Sequence, residues 1–239
     1  MINKNKTWAI IPARSGSKGI KNKNIKLFMN IPLLAHSINF AKKLKFIDKI
    51  FVSTDSEKYK KISLSFGAEV PFLRSKKNSK SNSMEEHVLE DIRIKLLKNN
   101  IDPPDNILWL RPTSPLRDTK LFESAYIKFR KSNKSVCIVT NTDPRIFIMK
   151  QNKLVPLIPN FNNRSMVRRQ DCLPAYKIFY GEFFKFPKKF NKKFLGNHFK
   201  HVVQNDLCNI DIDNNKQFKL YEKLILSEKK KYENFLHTS

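Results

Sequence analysis

Two groups of residues have types and spacing that could do chemistry. The first is Ile11-Pro-Ala-Arg-Ser-Gly-Ser-Lys-Gly19, directly after the apolar run Trp8–Pro12. Gly16 and Gly19 let a backbone approach a ligand closely, and their N–H groups can form an anion-binding nest. Arg14 and Lys18 add positive charge, and Lys21 and Lys23 follow. Such a loop suits a triphosphate, whose charge must be neutralised before a nucleophile approaches it. It lacks the Gly-Lys-Ser/Thr ending of a Walker loop and the glycine spacing of a dinucleotide fingerprint. On these residues alone an ordinary turn stays open as well. The second group is Asp211 and Asp213, two apart in Asn209-Ile-Asp-Ile-Asp213. On a strand, that spacing puts both carboxylates on one face. A pair of oxygen donors beside phosphate suits magnesium, and a solvated strand end is the alternative.

The elements that must position these groups follow from periodicity. Trp8–Pro12, Lys49–Thr54, Ile107–Leu110, Ser135–Thr140, Tyr176–Phe186 and Cys208–Asp213 read as strands. Pro32–Leu44, Glu57–Phe66, Met84–Leu97, Lys120–Lys131 and Asn214–Phe235 read as helices. Leu34, Ile38, Ala41 and Leu44 face inward on the first, and Phe218, Tyr221, Leu224 and Ile225 on the last. Strands alternating with helices imply an α/β, doubly wound, mostly parallel sheet, which binds ligands beyond the carboxyl ends of its strands. Three loops leave such ends: Arg14–Asn24, Thr54-Asp55 and Pro112–Arg117. After Thr140 the alternation weakens, and 141–171 reads as an inserted arm within a single domain spanning residues 1–239.

The chain is strongly basic: 47 Lys and Arg against 21 Asp and Glu, a net charge of +26. A nucleic-acid or anionic-membrane binder would have that balance. The lysines are scattered, however, and 19 Phe against 5 Gly points to compositional drift toward residues with A/T-rich codons. No nucleic-acid-binding motif supports the first reading. Longer apolar runs fall far short of a bilayer span, and Met1–Lys6 lacks the apolar core of a signal peptide. Cys137, Cys172 and Cys208 fit neither a disulfide framework nor a metal spacing, so a reducing cytoplasm is expected. His36 sits among helical apolar residues as a structural histidine.

The run Ile11-Pro-Ala-Arg-Ser-Gly-Ser-Lys-Gly-Ile-Lys-Asn-Lys-Asn-Ile25 closely resembles the opening motif of the acylneuraminate cytidylyltransferases, roughly I-P-A-R-G-G-S-K-G-I-x-x-K-N. The resemblance continues in order through Val52-Ser-Thr-Asp55, Gly67-Ala-Glu-Val-Pro-Phe-Leu-Arg74, Arg111-Pro-Thr-Ser-Pro-Leu-Arg117, Arg169-Gln-Asp171 and Asn209-Ile-Asp-Ile-Asp213. It covers most of the chain. It implies a Rossmann-like nucleotidyltransferase fold and magnesium-dependent transfer of CMP from CTP to a nine-carbon, sialic-acid-like sugar acid, with pyrophosphate leaving. By the same resemblance Arg14, Lys18 and Lys23 meet the triphosphate. Ala13, Gly16, Ser17, Gly19, Asn24, Arg74 and Ser83 seat the nucleotide. Thr113, Ser114, Arg117, Arg169, Gln170 and Tyr176 surround the sugar, and Asp211 and Asp213 hold Mg2+. A homodimer is implied, its arm at about 141–200 crossing to the partner, with no nucleic-acid or membrane partner.

The match departs at three places. Arg111 stands where the pattern has Gln; it could pair with the sugar carboxylate or turn outward. Ala175-Tyr-Lys-Ile-Phe-Tyr-Gly-Glu-Phe-Phe184 stands where sialic acid synthetases carry Asn-Gly-Ala-Ile-Tyr, and its Gly181-Glu-Phe-Phe184 is closer to the G-Q-F-Y of pseudaminic acid cytidylyltransferases. Lys80-Ser-Asn-Ser-Met84 replaces an Asp-Thr-Ala-Ser-Ser run at the expected cytosine pocket, leaving Ser83, with Ser81, to keep the polar contact. The aromatic run Phe179, Tyr180, Phe183 and Phe184 reads as core or interface before sugar pocket.

Overall fold

The first strand, β1 (Thr7–Pro12), is apolar at four successive positions, so it needs cover on both faces and takes a central place in a sheet. The structure, a computed structural model, describes residues 5–17, 19–157 and 167–238, with Phe179 described by its backbone alone. Lys18 therefore lies outside the described residues. After β1 come a short hairpin, β2 (Leu27–Phe28) and β3 (Ile31–Pro32), then α1 (Leu33–Lys42), β4 (Lys49–Ser53), α2 (Glu57–Ser65), α3 (Glu85–Lys98), β5 (Asn106–Trp109), α4 (Thr119–Ser132) and β6 (Val136–Thr142). A second hairpin, β7 (Phe147–Lys150) and β8 (Lys153–Pro156), precedes β9 (Ala175–Lys185), β10 (Lys200–Val203), α5 (Asn215–Ser227) and α6 (Lys229–Tyr232).

The main sheet has the order β10-β6-β9-β5-β1-β4. β1 pairs parallel with β4 and β5, and β10 pairs parallel with β6. β9 runs antiparallel between β5 and β6. The sheet is thus the expected mostly parallel, Rossmann-like one, with one strand reversed. From β1 the chain steps outward to β4 and then returns to β1's other side with β5. The crevice at the ends of β1 and β5 is therefore a topological switch point.

Alternation assigns the two faces. Ala9, Ile11 and Leu108 pack with Leu34 and Ile38 of α1 and Phe122 and Phe129 of α4. Trp8, Ile10, Ile107 and Trp109 pack with Val88, Leu89, Ile92 and Leu96 of α3. β9 joins both cores: Phe183 goes to the first face and Phe184 to the second. With Tyr180 these residues are buried as core. Gly181 lies against the Phe122 ring, where a Cβ would come within 2.7 Å of a ring carbon. A third core, with Ile20, Phe28, Leu33, Ile210, Ile212, Phe218 and Tyr232, underlies the loop after β1 and joins it to the C-terminal helices.

Two expectations are corrected. Cys208–Asp213 is not a strand. A 3-10 turn covers Asp206–Cys208, and the residues after it join no ladder. Ile212 N–H donates instead to the Thr113 carbonyl at 2.8 Å. The in-out alternation survives without pairing, since Ile210 and Ile212 are buried while Asp211 is half-buried and Asp213 exposed. The closing helix begins as expected, Asn214 and Gln217 forming a reciprocal cap, but it breaks at Glu228. Leu224 is 38% exposed rather than inward. The hairpin β7–β8 and the strand β10 carry no sequence signal; each is four residues long and mostly exposed.

His36 is buried, its Nε2 bonded to the Phe28 carbonyl at 2.9 Å. His237 is buried beside Phe40, its Nε2 bonded to the Arg117 carbonyl at 2.9 Å. Burial pulls both pKa values down from 6.5 to about 4. The folded chain keeps them neutral, whereas the unfolded chain takes up protons as pH falls below 6.5. Their contribution to stability is therefore complete above that pH. It is lost on acidification toward 4, at up to about 1.4 kcal/mol per pH unit per histidine. Urea unfolding between pH 7 and pH 5 should show this slope, and His237→Gln should reduce it by about half; an unchanged slope in that variant contradicts the assignment.

Candidate functional site

The loop after β1 is pinned at both ends. Ala13 N–H continues the β1–β4 pairing to the Ser53 carbonyl at 2.9 Å. Asp55, at the end of β4, accepts from Ser15 N–H at 2.8 Å and from Ser15 Oγ at 2.9 Å. Buried Asn24 donates to the Arg14 carbonyl at 3.0 Å. Lys23 Nζ reaches the Ile212 carbonyl at 2.9 Å and Asp213 Oδ1 at 3.2 Å. Gly19 sits so close to this segment that a Cβ on it would lie 2.3 Å from the Asp213 carbonyl oxygen. The basic loop and the acidic segment therefore form one wall, and glycine is required where they meet.

That wall faces a cavity of about 420 Å³ at the β1/β5 crevice. Arg14, Ser17, Gly19, Lys23, Asn24 and Asp213 line one side; Arg74, Ser83, Glu85, Trp109, Arg111 and Thr113 line the other. Arg74 is buried, its guanidinium donating to Ser53 Oγ at 3.0 Å and the Ser53 carbonyl at 2.7 Å. Burial pulls it down to about 10, so it stays cationic at neutral pH. Ser83 Oγ donates to the Lys77 carbonyl at 3.2 Å. The N-cap of α3 is Met84, not a Ser or Asn.

Arg111 lines the cavity and does not turn outward; within the chain it is held by two glutamates. Its Nη1 donates to both oxygens of Glu182, at 2.9 and 2.7 Å, and its Nε and Nη2 donate to Glu85 Oε1, at 3.2 and 2.8 Å. Burial pushes the Glu182 carboxyl above the ordinary carboxylate range, with Arg111 opposing. Thr113 lines the cavity, but Ser114 and Arg117 are buried behind it, 2% and 1% exposed. Arg117 Nη2 donates to the Arg111 carbonyl at 2.7 Å and so props the loop from beneath. Burial pulls Arg117 down to about 9. Neither Ser114 nor Arg117 lines the cavity within this chain, and Arg117 supports the loop instead.

The other expected sugar residues lie elsewhere. Arg169 and Gln170 line a separate cavity of about 400 Å³ with Asn141, Thr142 and Pro174. Tyr176 is 40% exposed and packs beside His201. None of the three lines the β1/β5 cavity within this chain.

Asp213 opens onto the cavity, and Asp211 points outward two residues earlier, 3.1 Å from Lys177 Nζ. Among the described residues no cluster of three or more His, Cys, Asp or Glu could hold a metal. Of the expected pair only Asp213 lines the cavity beside the basic loop, Asp211 being tied to Lys177; one carboxylate there fits magnesium, which completes its coordination sphere with phosphate oxygens and water. Glu85, Glu182 and Lys177 were not legible as site residues. Glu182 and Lys177 show only as charges inside an aromatic run, and Glu85 lies unmarked in a polar stretch at the start of α3.

Residues 8–235 match the cytidylyltransferase family. A pseudaminic acid cytidylyltransferase from Campylobacter jejuni is 32% identical over 176 residues, covering 72% of this chain and 74% of that protein. A CMP-N,N'-diacetyllegionaminic acid synthase from Legionella pneumophila is 36% identical over 132 residues, covering 55% of this chain and 56% of that protein. Among solved structures, a CMP:2-keto-3-deoxy-manno-octonic acid synthetase complexed with CTP superposes with a TM-score of 0.66 at 13% identity, over 93% of this chain and 99% of that one.

Gly19→Ala is expected to push the loop away from Asp213 and weaken CTP binding at least tenfold in calorimetry, while far-UV circular dichroism stays that of the parent. Parental affinity in that variant contradicts the close-contact account.

Proposed function

The chain belongs to the cytidylyltransferase family, and on that premise we propose that it transfers CMP from CTP to a nine-carbon nonulosonic acid, with Mg2+ and release of pyrophosphate. The observation that carries this reading is the cavity at the switch point, where one wall joins the basic loop to Asp213 through Lys23 and Gly19. The two relatives named above act on sugar acids of this class, which supports the choice of acceptor.

In the proposed reaction the sugar's anomeric hydroxyl attacks the α-phosphorus. The new P–O bond forms as the bond to the bridging oxygen breaks, and pyrophosphate leaves with that electron pair. No enzyme nucleophile is needed; the chain positions the reactants and offsets charge. Arg14, Lys18 and Lys23 hold the phosphates, with Arg74 as a buried cation behind them. Asp211 and Asp213 would hold magnesium, which when bound supplies further charge neutralisation on the phosphates. Either aspartate, directly or through water, would ease removal of the hydroxyl proton.

The acceptor pocket is proposed to be completed in a homodimer. Within 141–200, Met149 and Leu154 are 66% exposed and Leu173 is 61% exposed, an apolar surface suited to a second copy. Arg169 and Gln170 lie on the same segment. A cytoplasmic setting suits the free thiols of Cys137, Cys172 and Cys208.

Pyrophosphate release from CTP and Mg2+ should appear with at least one of N-acetylneuraminic, legionaminic and pseudaminic acids supplied separately. Asp213→Asn should lower kcat at least a hundredfold with the chain still folded. Silence of the folded parent with all three acids, or full turnover in Asp213→Asn, would overturn the assignment.

A further inference from the structure

Glu85 is the first residue of α3, where the positive end of the helix dipole favours a carboxylate. Its side chain is 36% exposed and lines the β1/β5 cavity. Oε1 accepts both hydrogen bonds from Arg111, and Oε2 accepts none from a described residue. Arg111 is fixed from its other side by Glu182, which is 2% exposed on the reversed strand β9. A guanidinium has five N–H donors. Here it makes four hydrogen bonds to the two glutamates.

The electrostatic consequence runs against the first expectation for Arg111. One cation faces two carboxylates, so the trio carries a formal charge of −1 in its ionised form. Among the described residues the Arg111 charge is already matched by Glu85 and Glu182, and burying a further anion against Glu85 is unfavourable. What this wall offers is a fixed, charged acceptor, which makes strong hydrogen bonds to neutral O–H and N–H donors.

We propose that Glu85 reads a hydroxyl or amide N–H donor of the bound reactants, and that Arg111 and Glu182 are positioning residues that hold it. The proposal rests on the CMP-transfer reading and deepens it. The donor has two sources, the ribose hydroxyls of CTP or the hydroxyl and acylamino groups of the acceptor acid.

The test measures Kd for CTP, Kd for each acid in the presence of CTP without metal, and kcat, in the full chain. Glu85→Ala should raise one Kd at least tenfold and lower kcat by less than threefold. A rise for CTP assigns the donor to ribose; a rise for the acid assigns it to the sugar. Glu182→Gln, which alters no atom in the cavity wall, should raise the same Kd. The double variant Arg111→Gln/Glu182→Gln removes the buried charges together. It should regain most of the Tm lost in Glu182→Gln yet keep the raised Kd, because Glu85 has lost its clamp. Parental Kd values in Glu85→Ala overturn the proposal. So does a double variant that recovers affinity along with Tm, since the trio would then serve stability alone. If CTP and acid bind without turnover, the transfer reading fails while the affinities still decide the role of Glu85. If the folded parent binds neither, both fall.

Discussion

The contact between Gly19 and the Asp213 carbonyl, with the Lys23 ammonium bridging Ile212 and Asp213, joins parts of the chain separated by 190 residues of sequence. The cavity depends on that closure. Without it the basic loop is a surface turn and the two aspartates are a solvated segment. With it, cationic and anionic groups face the same space, which phosphate chemistry with a metal requires. The third hydrophobic core makes the closure durable, because Ile20 from the loop, Phe28 from the first hairpin and Ile210 and Ile212 from the acidic segment are buried together. Packing therefore sets the distance between the charges, and the charges need not hold themselves together.

The opposite wall is built from charge placed in a protein interior. Arg74 and Arg117 are buried, and both are pulled below the usual arginine range by desolvation. Each is tolerated because it donates to backbone carbonyls, Arg74 to Ser53 and Arg117 to Arg111. Arg117 Nε and Nη1 find no partner among the described residues, so this prop carries a real cost. What it secures is the turn from Arg111 to Thr113, whose Thr113 carbonyl in turn accepts from Ile212 N–H. The two walls are therefore coupled through this backbone hydrogen bond, while Lys23 ties the first wall together.

The sequence carried the parts of this structure that depend on local pattern. Four apolar residues in β1 and the unbroken apolar run of β5 required cover on two faces, and the helix stripes of α1, α3 and α4 supplied it. The glycine and lysine spacing marked the basic loop that lines the cavity, and Asp-Ile-Asp marked the acidic segment that meets it. Long-range pairing was not legible. β9 reads as a strand, but nothing local says that it runs backwards between β5 and β6. Asp211 and Asp213 keep their outward spacing although the segment joins no ladder, because Ile210 and Ile212 are buried in the third core. Arg111 could not be interpreted without Glu182, 71 residues away on that reversed strand. Arg169, Gln170 and Tyr176 were grouped with the sugar site by motif order, and the fold of a single chain leaves them outside the β1/β5 cavity.

Hydrogen–deuterium exchange with and without CTP and Mg2+ tests most directly whether this closure forms the nucleotide site. Protection is expected to rise together in three segments far apart in sequence, residues 13–24, 111–114 and 209–214, with the β7–β8 hairpin unaffected by nucleotide alone. Protection of only one of them, or protection centred instead on the separate cavity lined by Asn141, Thr142, Arg169, Gln170 and Pro174, would contradict the account.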